Sequence, residues 1–170
     1  MADRWRGRRL AGLALAALLA ASLGGATVFA REEAQRWIVV RDDAGIELAR
    51  APLPPSGVFG MRYRNSVYGS IAEEWFLVEG DRLIVERLAA DELAVLEEYS
   101  VAFGAVRTGR DADRRWEVAV ERPPIDLPHR VRATALGERT LLSAGTELAL
   151  WRLVASDHDT LVVLSIEGSP

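Results

Sequence analysis

The chain has 170 residues, of which 21 are basic and 25 acidic, so its net charge is −4, and it contains no cysteine. The absence of cysteine excludes disulfides, thiolate nucleophiles and cysteine metal ligands. The acidic balance argues against a nucleic-acid partner, because neutralising phosphates requires clustered positive charge.

The N-terminus has the three-part pattern of an export signal. Four arginines and one acid precede an apolar run from Leu10 to Ala21, and Val28-Phe29-Ala30 ends it with small residues at the two positions that signal peptidase reads. We predict that residues 1–30 are a signal peptide or, if uncleaved, an N-terminal membrane anchor, because Leu10–Ala30 as a hydrophobic helix is just long enough to span a bilayer. In both cases residues 31–170, with a net charge of −7, form one extracytoplasmic domain, periplasmic or at the cell surface.

After the leader, short apolar runs alternate with turn residues. Trp37–Val40 and Ile46–Ala49 flank the turn sequence Asp42-Asp43-Ala44-Gly45, which predicts a β-hairpin. Asp91–Tyr99 predicts a short helix with Asp91 as its N-cap. A further strand is predicted at residues 58–65, with Phe59, Met61 and Tyr63 on one face. Others are predicted at residues 71–79, 83–85, 116–121, 131–136, 140–142, 148–154 and 161–166.

About nine short strands without a long helix between them make a parallel βαβ topology improbable. We therefore predict an all-β, mainly antiparallel fold: a single-domain β-sandwich or partly open barrel that follows the N-terminal hydrophobic helix. Four tryptophans fall inside predicted strands, where this residue type usually packs in the core. They are Trp37, Trp75, Trp116 and Trp151.

The segment Met61–Phe76, with the sequence MRYRNSVYGSIAEEWF, resembles the core motif of a family of small exported bacterial proteins, domain of unknown function 1850. Tyr63, Ser66-Val67 and Glu73-Glu74 match that motif, whereas Asn65 stands where the family usually has histidine. The resemblance continues at Val78–Leu83 and Phe103–Ala105.

Members of that family are typically exported or N-terminally anchored, and many are encoded beside the membrane permease of tripartite transporters of the TRAP type, TAXI class. The resemblance implies a non-enzymatic accessory of such a solute transporter, with the permease as its partner, and it implies no active site. The alternative is a stand-alone extracytoplasmic module that binds a small ligand. The candidate ligand- or partner-binding residues are Arg62, Tyr63, Asn65, Ser66, Glu73 and Glu74.

The residues of this segment also permit a purely structural interpretation. A two-residue turn at Tyr68-Gly69 makes Arg64 face Glu73 across a hairpin, as an exposed ion pair whose loss costs less than about 1 kcal/mol. Asn65 and Ser66 then precede the turn, where such side chains often hydrogen-bond to neighbouring backbone groups.

Sequence motifs of common catalytic, metal and nucleotide sites are absent. Adjacent acids in a strand, such as Glu73-Glu74, point to opposite faces and cannot form a catalytic carboxylate pair. His129 and His158 lack the spacing of a zinc site, and Asp157-His158-Asp159 is typical of a solvated turn. We therefore expect no enzymatic activity, no metal and no cofactor, with a hydrolase built from dispersed residues as a third alternative, since catalytic triads are defined by geometry.

Overall fold

The computed structural model describes residues 35–99, 104–108, 113–154 and 160–168. The leader predicted at residues 1–30 and the turn predicted at residues 157–159 lie outside the described residues. Within the described ranges, no helix has both the length and the hydropathy needed to cross a membrane.

Strands make up most of the described chain, with one α-helix, α1 (Leu93–Glu98), and a short 3-10 helix (Leu150–Arg152). Twelve strands are seen in these ranges: β1 (Arg36–Arg41), β2 (Glu47–Leu53), β3 (Val58–Arg64), β4 (Ile71–Glu79), β5 (Arg82–Ala90), β6 (Val106–Arg107), β7 (Trp116–Ala119), β8 (Ile125–Asp126), β9 (His129–Arg132), β10 (Thr140–Ser143), β11 (Thr146–Ala149) and β12 (Leu161–Gly168). The predicted number of about nine was too low, partly because β6 and β8 are two residues long and have no recognisable sequence pattern.

The strands form two sheets in which neighbouring strands run antiparallel. The small sheet has the order β2-β1-β12-β9, and the large sheet has the order β11-β10-β3-β4-β5-β7-β6, with β8 also paired to β5. The predicted all-β, mainly antiparallel fold is confirmed, and its two sheets enclose one core as a sandwich.

The core is built from alternate residues of strands in both sheets. Ile38 and Leu164 of the small sheet belong to the same buried cluster as Phe59 and Phe76 of the large sheet, whose rings stack with centroids 5.3 Å apart. In β3 the inward residues are the predicted set, namely Phe59, Met61 and Tyr63.

The first hairpin forms as its sequence predicts. Asp42 begins the turn, because its Oδ1 accepts a hydrogen bond from the Ile46 backbone N–H at 2.8 Å. Gly45 has φ +84°, a left-handed conformation that glycine adopts without steric cost. Pro52 does not end β2, since β2 is an edge strand, where a residue without an N–H donor is tolerated.

Two local predictions are corrected by the structure. The predicted helix is present, but Glu92 rather than Asp91 is its N-cap and no side chain caps it. The carboxylate of Asp91 instead accepts a hydrogen bond from Arg114 at 3.3 Å. The strand predicted over residues 148–154 stops at Ala149, where the chain turns into the 3-10 helix.

The prediction that the tryptophans form the core is wrong for three of the four, whereas Trp116 packs against the buried cluster. All four are only partly buried, and three of them carry an arginine guanidinium over the ring, with distances from guanidinium carbon to ring centroid of 4.6 to 5.9 Å. An arginine side chain covers one face of each of these three rings and shields it from solvent, so these rings do not need full burial. The pairs are Trp37–Arg50, Trp75–Arg87 and Trp151–Arg152.

Trp75 rests on Gly60, its cross-strand neighbour, on the outer face of the large sheet. A Cβ added at Gly60 would lie 3.3 Å from three atoms of the Trp75 ring, closer than ordinary contact. We expect Gly60→Val to lower the free energy of unfolding by about 1 to 3 kcal/mol, because the ring must shift. Chemical denaturation measures this change.

Gly168→Ala is the matched control, since a Cβ there meets no atom within 4 Å. It should change stability by less than about 0.5 kcal/mol. Equal stabilities for the two variants would contradict the packing of Trp75 on Gly60.

Candidate functional site

The connection between β3 and β4 is a loop rather than the predicted two-residue turn. Arg64 pairs with Ile71, and Arg62 pairs with Glu73, so the predicted pairing of Arg64 with Glu73 is wrong by two positions. The loop therefore spans Asn65–Ser70, and most of its side chains are exposed at one end of the sandwich.

Asn65 closes this loop and is itself buried, with 6% exposure. Its Oδ1 accepts hydrogen bonds from the backbone N–H groups of Val67 at 2.9 Å and Tyr68 at 3.0 Å, which confirms the predicted backbone bonding by Asn65. Its Nδ2 donates to Glu98 at 2.8 Å and so ties the loop to the end of α1. Ser66 is exposed, and its hydroxyl makes no hydrogen bond to a described residue.

Glu73 lies on the outer face of the large sheet, yet it is 4% exposed. Arg114 covers it, with Nη2 3.0 Å and Nε 3.1 Å from Oε1, and also contacts Asp91 at 3.3 Å. The prediction of an exposed pair with Arg64 is therefore wrong: Glu73 is buried by an arginine 41 positions away in the chain. Arg62, on the same face, pairs with Glu147 instead.

Glu74 points the opposite way from Glu73, as strand alternation predicts, and faces the interior between the sheets. It lines a small cavity of about 20 Å³, the inner cavity, otherwise walled mainly by apolar core residues, with His129 and Arg139 as its other polar residues. Burial raises the pKa of Glu74, and the positive charges of Arg139 and Arg122 oppose that increase.

Three other groups share this environment. Burial, together with the charge of Arg139, lowers the pKa of His129, which favours neutral imidazole. Burial raises the pKa of Tyr63 far above its usual range, and the charge of Glu74 and the nearby Tyr99 phenol add to the increase, so the phenol keeps its proton. The Arg139 guanidinium carbon lies 5.3 Å from the centroid of the Tyr63 ring. We call Tyr63, Glu74, His129 and Arg139 the inner cluster.

A larger cavity of about 400 Å³, the end cavity, opens next to the inner cluster. Arg139 lines both this cavity and the inner one, and Tyr63 lines the end cavity beside it. The described residues that line it are Tyr63, Arg64, Asn65, Ser66, Glu98, Tyr99, Arg132, Thr134, Leu136, Gly137 and Arg139.

Three arginines and one acid are among the described residues that line the end cavity. Arg64 is paired with Glu138 at 3.0 Å, and Glu98 accepts the hydrogen bond from Asn65. No carboxylate of the described residues lies within salt-bridge distance of Arg139. An anion in the end cavity can therefore bind Arg139 without displacing a carboxylate of the described residues.

Backbone contacts between β3 and the segment 133–139 hold Arg139 in place. The Arg64 N–H donates to the Gly137 carbonyl at 2.8 Å, and the Gly137 N–H donates to Thr134 Oγ1 at 3.2 Å. At the far side of Arg139, its carbonyl accepts the Leu150 N–H at 2.9 Å. The guanidinium is thus positioned by a segment fixed at both ends.

The six sequence-predicted site residues are separated by the sheet. Tyr63, Asn65 and Ser66 line the end cavity, and Glu74 lines the adjoining inner cavity. Of the other two candidates, Glu73 belongs to an ion pair of the outer face. Arg62 pairs with Glu147 on that face and also lines, with Tyr63, a separate cavity of about 300 Å³. The residues that sequence reasoning missed are Glu98, Tyr99, Arg122, His129 and Arg139.

One sequence signal could have identified the inner cluster. Ala72, Phe76 and Val78 alternate toward the core, and Glu74 occupies the same inward register. A carboxylate at a core position requires compensating polar groups, whose identity only the three-dimensional structure supplies.

No protein-family model, no curated protein and no solved structure matches this chain. The resemblance of residues 61–76 to domain of unknown function 1850 therefore stays a prediction. In the described ranges, no three His, Asp or Glu side chains come together as a set that could hold a metal ion.

The burial of Glu73 leads to a stability prediction. Glu73→Ala should lower the free energy of unfolding by about 2 to 4 kcal/mol, because it leaves the mostly buried Arg114 without its closest carboxylate. Urea denaturation of the wild type and the variant measures the difference.

The matched control is Glu147→Ala, which removes a 60% exposed partner of Arg62 on the same face. That change should cost less than about 1 kcal/mol, as for other surface ion pairs. A cost for Glu73→Ala as small as that of the control would contradict the buried ion pair.

Proposed function

We propose that this protein is an exported, non-enzymatic β-domain, secreted or attached by its N-terminal segment outside the cytoplasmic membrane, which binds a small organic anion in the end cavity. The observation that carries the proposal is the juxtaposition of Arg139 and Tyr63. The first is a cation without an ion pair among the described residues, and the second is a buried hydroxyl without a hydrogen-bond partner among them.

Arg139 supplies the recognition of charge. A guanidinium presents a planar fork of donors that matches a carboxylate in two parallel hydrogen bonds. Its contact with the Tyr63 ring, 5.3 Å from guanidinium carbon to ring centroid, holds the guanidinium near the cavity without using its N–H groups on another carboxylate.

Tyr63 supplies a neutral donor. Its raised pKa, to which the neighbouring Tyr99 phenol contributes, keeps the phenol protonated. The Tyr63 hydroxyl is buried and makes no hydrogen bond of normal geometry to a described residue, Tyr99 included. A buried polar group in this state typically costs about 1 to 3 kcal/mol, which a ligand oxygen that accepts the hydrogen bond would recover.

The size and lining of the end cavity favour an organic anion over an inorganic one. Its volume of about 400 Å³ lies within the range of small-molecule sites. Tyr99 and Leu136 add apolar surface beside the arginines. The aliphatic hydroxyls in its lining are those of Ser66 and Thr134, and no histidine is among the described lining residues to act as their general base. This lining favours binding over nucleophilic catalysis.

A second candidate function, an accessory of a TRAP-type, TAXI-class permease, is favoured by the exposed apolar side chains of this end of the domain. Val67 is 68% exposed, Tyr68 49% and Leu136 68%. Leu136 lines the end cavity, and Val67 and Tyr68 belong to the loop that Asn65 closes. Exposed apolar groups near a binding site are typical of protein contact surfaces.

The binding proposal is tested by thermal unfolding with monocarboxylates, dicarboxylates, amino acids and sugars, using protein purified from the cells that export it. A carboxylate at 100 times its Kd adds about 2.7 kcal/mol of stability, and we expect a rise in Tm of roughly 5 to 10 °C. Neutral sugars should not raise the Tm.

Tyr63→Phe separates ligand binding from folding. The free protein should keep or increase its Tm, because the variant deletes an unpartnered buried hydroxyl, whereas the affinity for the carboxylate should fall by about tenfold or more. Arg139→Gln should reduce affinity further, and Arg130→Gln, an exposed arginine on the outer side of β9, should not change it. Unchanged binding in both Tyr63→Phe and Arg139→Gln would contradict this site.

The accessory role is tested by co-purification of the tagged protein with a permease encoded beside its gene, from detergent-solubilised membranes. The double variant Val67→Asp/Leu136→Asp should no longer co-purify with the permease, because it places charges on the apolar surface. Ile46→Asp is the control, since Ile46 is 62% exposed in the β1–β2 turn. Retention of the permease by the double variant would exclude this surface as the contact.

A further inference from the structure

We infer that an anion bound at Arg139 enters together with a proton, which is taken from solvent and bonded to a carboxylate oxygen of Glu74. This inference rests on the proposed function, because it concerns the same cavity and its regulation. No bond of the ligand breaks in this step, and one O–H bond forms on Glu74.

The geometry that supports it is the shared position of Arg139. This residue lines the end cavity and also the inner cavity, which contains Glu74 and His129. The Glu74 carboxylate makes no hydrogen bond and no ion pair within salt-bridge distance to a described residue. Its ionised form therefore depends on longer-range attraction to nearby cations, of which Arg139 has the largest effect and Arg122 the next.

An anion at Arg139 changes this balance. The incoming negative charge cancels the attraction that Arg139 exerts on Glu74 and adds repulsion through an interior of low dielectric constant. Burial alone already favours the neutral carboxyl of Glu74. Protonation of Glu74 then removes the repulsion, so that the ligand and the proton enter with no net change in charge.

Among the titratable groups near Glu74, one other group could take up the proton when the anion binds. Tyr63 from β3 is a phenol whose raised pKa keeps it neutral, and Tyr99 after α1 lies beside Tyr63. Arg122 after β7 and Arg139 before β10 are the cations that act on Glu74. His129 of β9 is that other group, because the charge of Arg139 helps to lower its pKa and a bound anion would relieve that effect.

The direction of the pH dependence follows from linkage. Binding raises the pKa of Glu74, so affinity increases as the pH falls from the bound-state pKa to the free-state pKa, and is constant outside that window. Each unit by which binding raises that pKa corresponds to about tenfold between the high-pH and low-pH affinities.

The experiment is isothermal titration calorimetry of the exported protein with sodium benzoate and sodium acetate, both of which remain ionised above about pH 6. Titrations at one pH in two non-anionic buffers with different protonation enthalpies give the number of protons taken up per anion. We expect net proton uptake by the wild type. Its affinity for the anion should fall by up to about tenfold for each unit of pH increase between the free-state and the bound-state pKa of Glu74.

Two variants assign the proton. Glu74→Gln keeps the shape of the side chain and mimics the protonated carboxyl, so it should bind with no proton uptake, with a pH-independent affinity, and at least as tightly as the wild type at high pH. His129→Gln should retain the uptake. Thermal unfolding of both free variants confirms that they are folded.

The possible failures are distinguishable. Binding of either anion to the wild type without proton uptake overturns this inference and leaves the proposed function intact. Uptake that survives in Glu74→Gln and disappears in His129→Gln overturns the assignment to Glu74. The absence of binding by both anions, and by all carboxylates of the thermal-unfolding panel, overturns this inference and the proposed function together.

Discussion

The site depends on the placement of one cation, Arg139, between the partly buried carboxylate of Glu74 and an open cavity. Its guanidinium lies over the Tyr63 ring and lines the cavities on both sides. Two backbone hydrogen bonds hold the segment that carries Arg139. The Arg64 N–H of β3 donates to the Gly137 carbonyl, and the Leu150 N–H of the 3-10 helix donates to the Arg139 carbonyl. An arginine on a mobile loop loses conformational entropy when a ligand orders it, which weakens binding. Because folding already orders the segment that carries Arg139, ligand binding does not incur that cost.

The alternation of β4 gives two adjacent acids opposite environments. Glu73 faces outward and is held by Arg114 at 3.0 Å, so its charge is compensated by direct contact. Glu74 faces inward and has no such contact in the described chain, so its charge is compensated only by more distant arginines. A sandwich of this size gains stability from apolar inward positions, and an acid in one of them favours a functional explanation over a structural one.

Local patterns of the sequence were sufficient for part of this structure. Alternation predicted the inward face of β3, and the Asp42–Gly45 turn predicted the first hairpin, because both depend on neighbouring residues alone. The register of β3 with β4 was mispredicted because Asn65 closes a longer loop through hydrogen bonds from Val67 and Tyr68. Tyr63 and Glu74 were among the predicted site residues, but Arg139 was not, because its contact with Tyr63 joins residues 76 positions apart in the chain and leaves no local pattern.

The two proposed roles are compatible because they use the same end of the domain. The exposed Leu136 belongs to the lining of the end cavity, and the exposed Val67 lies in the loop that Asn65 ties to Glu98 beside it. A partner that covers these apolar side chains would also cover the mouth of the cavity and exclude water from it. Lower polarity around Arg139 strengthens every charge interaction there, including the repulsion between a bound anion and ionised Glu74. A partner at this surface would therefore couple its own docking to the charge of Glu74, and protonation of that carboxyl would decide whether the anion stays in the covered site.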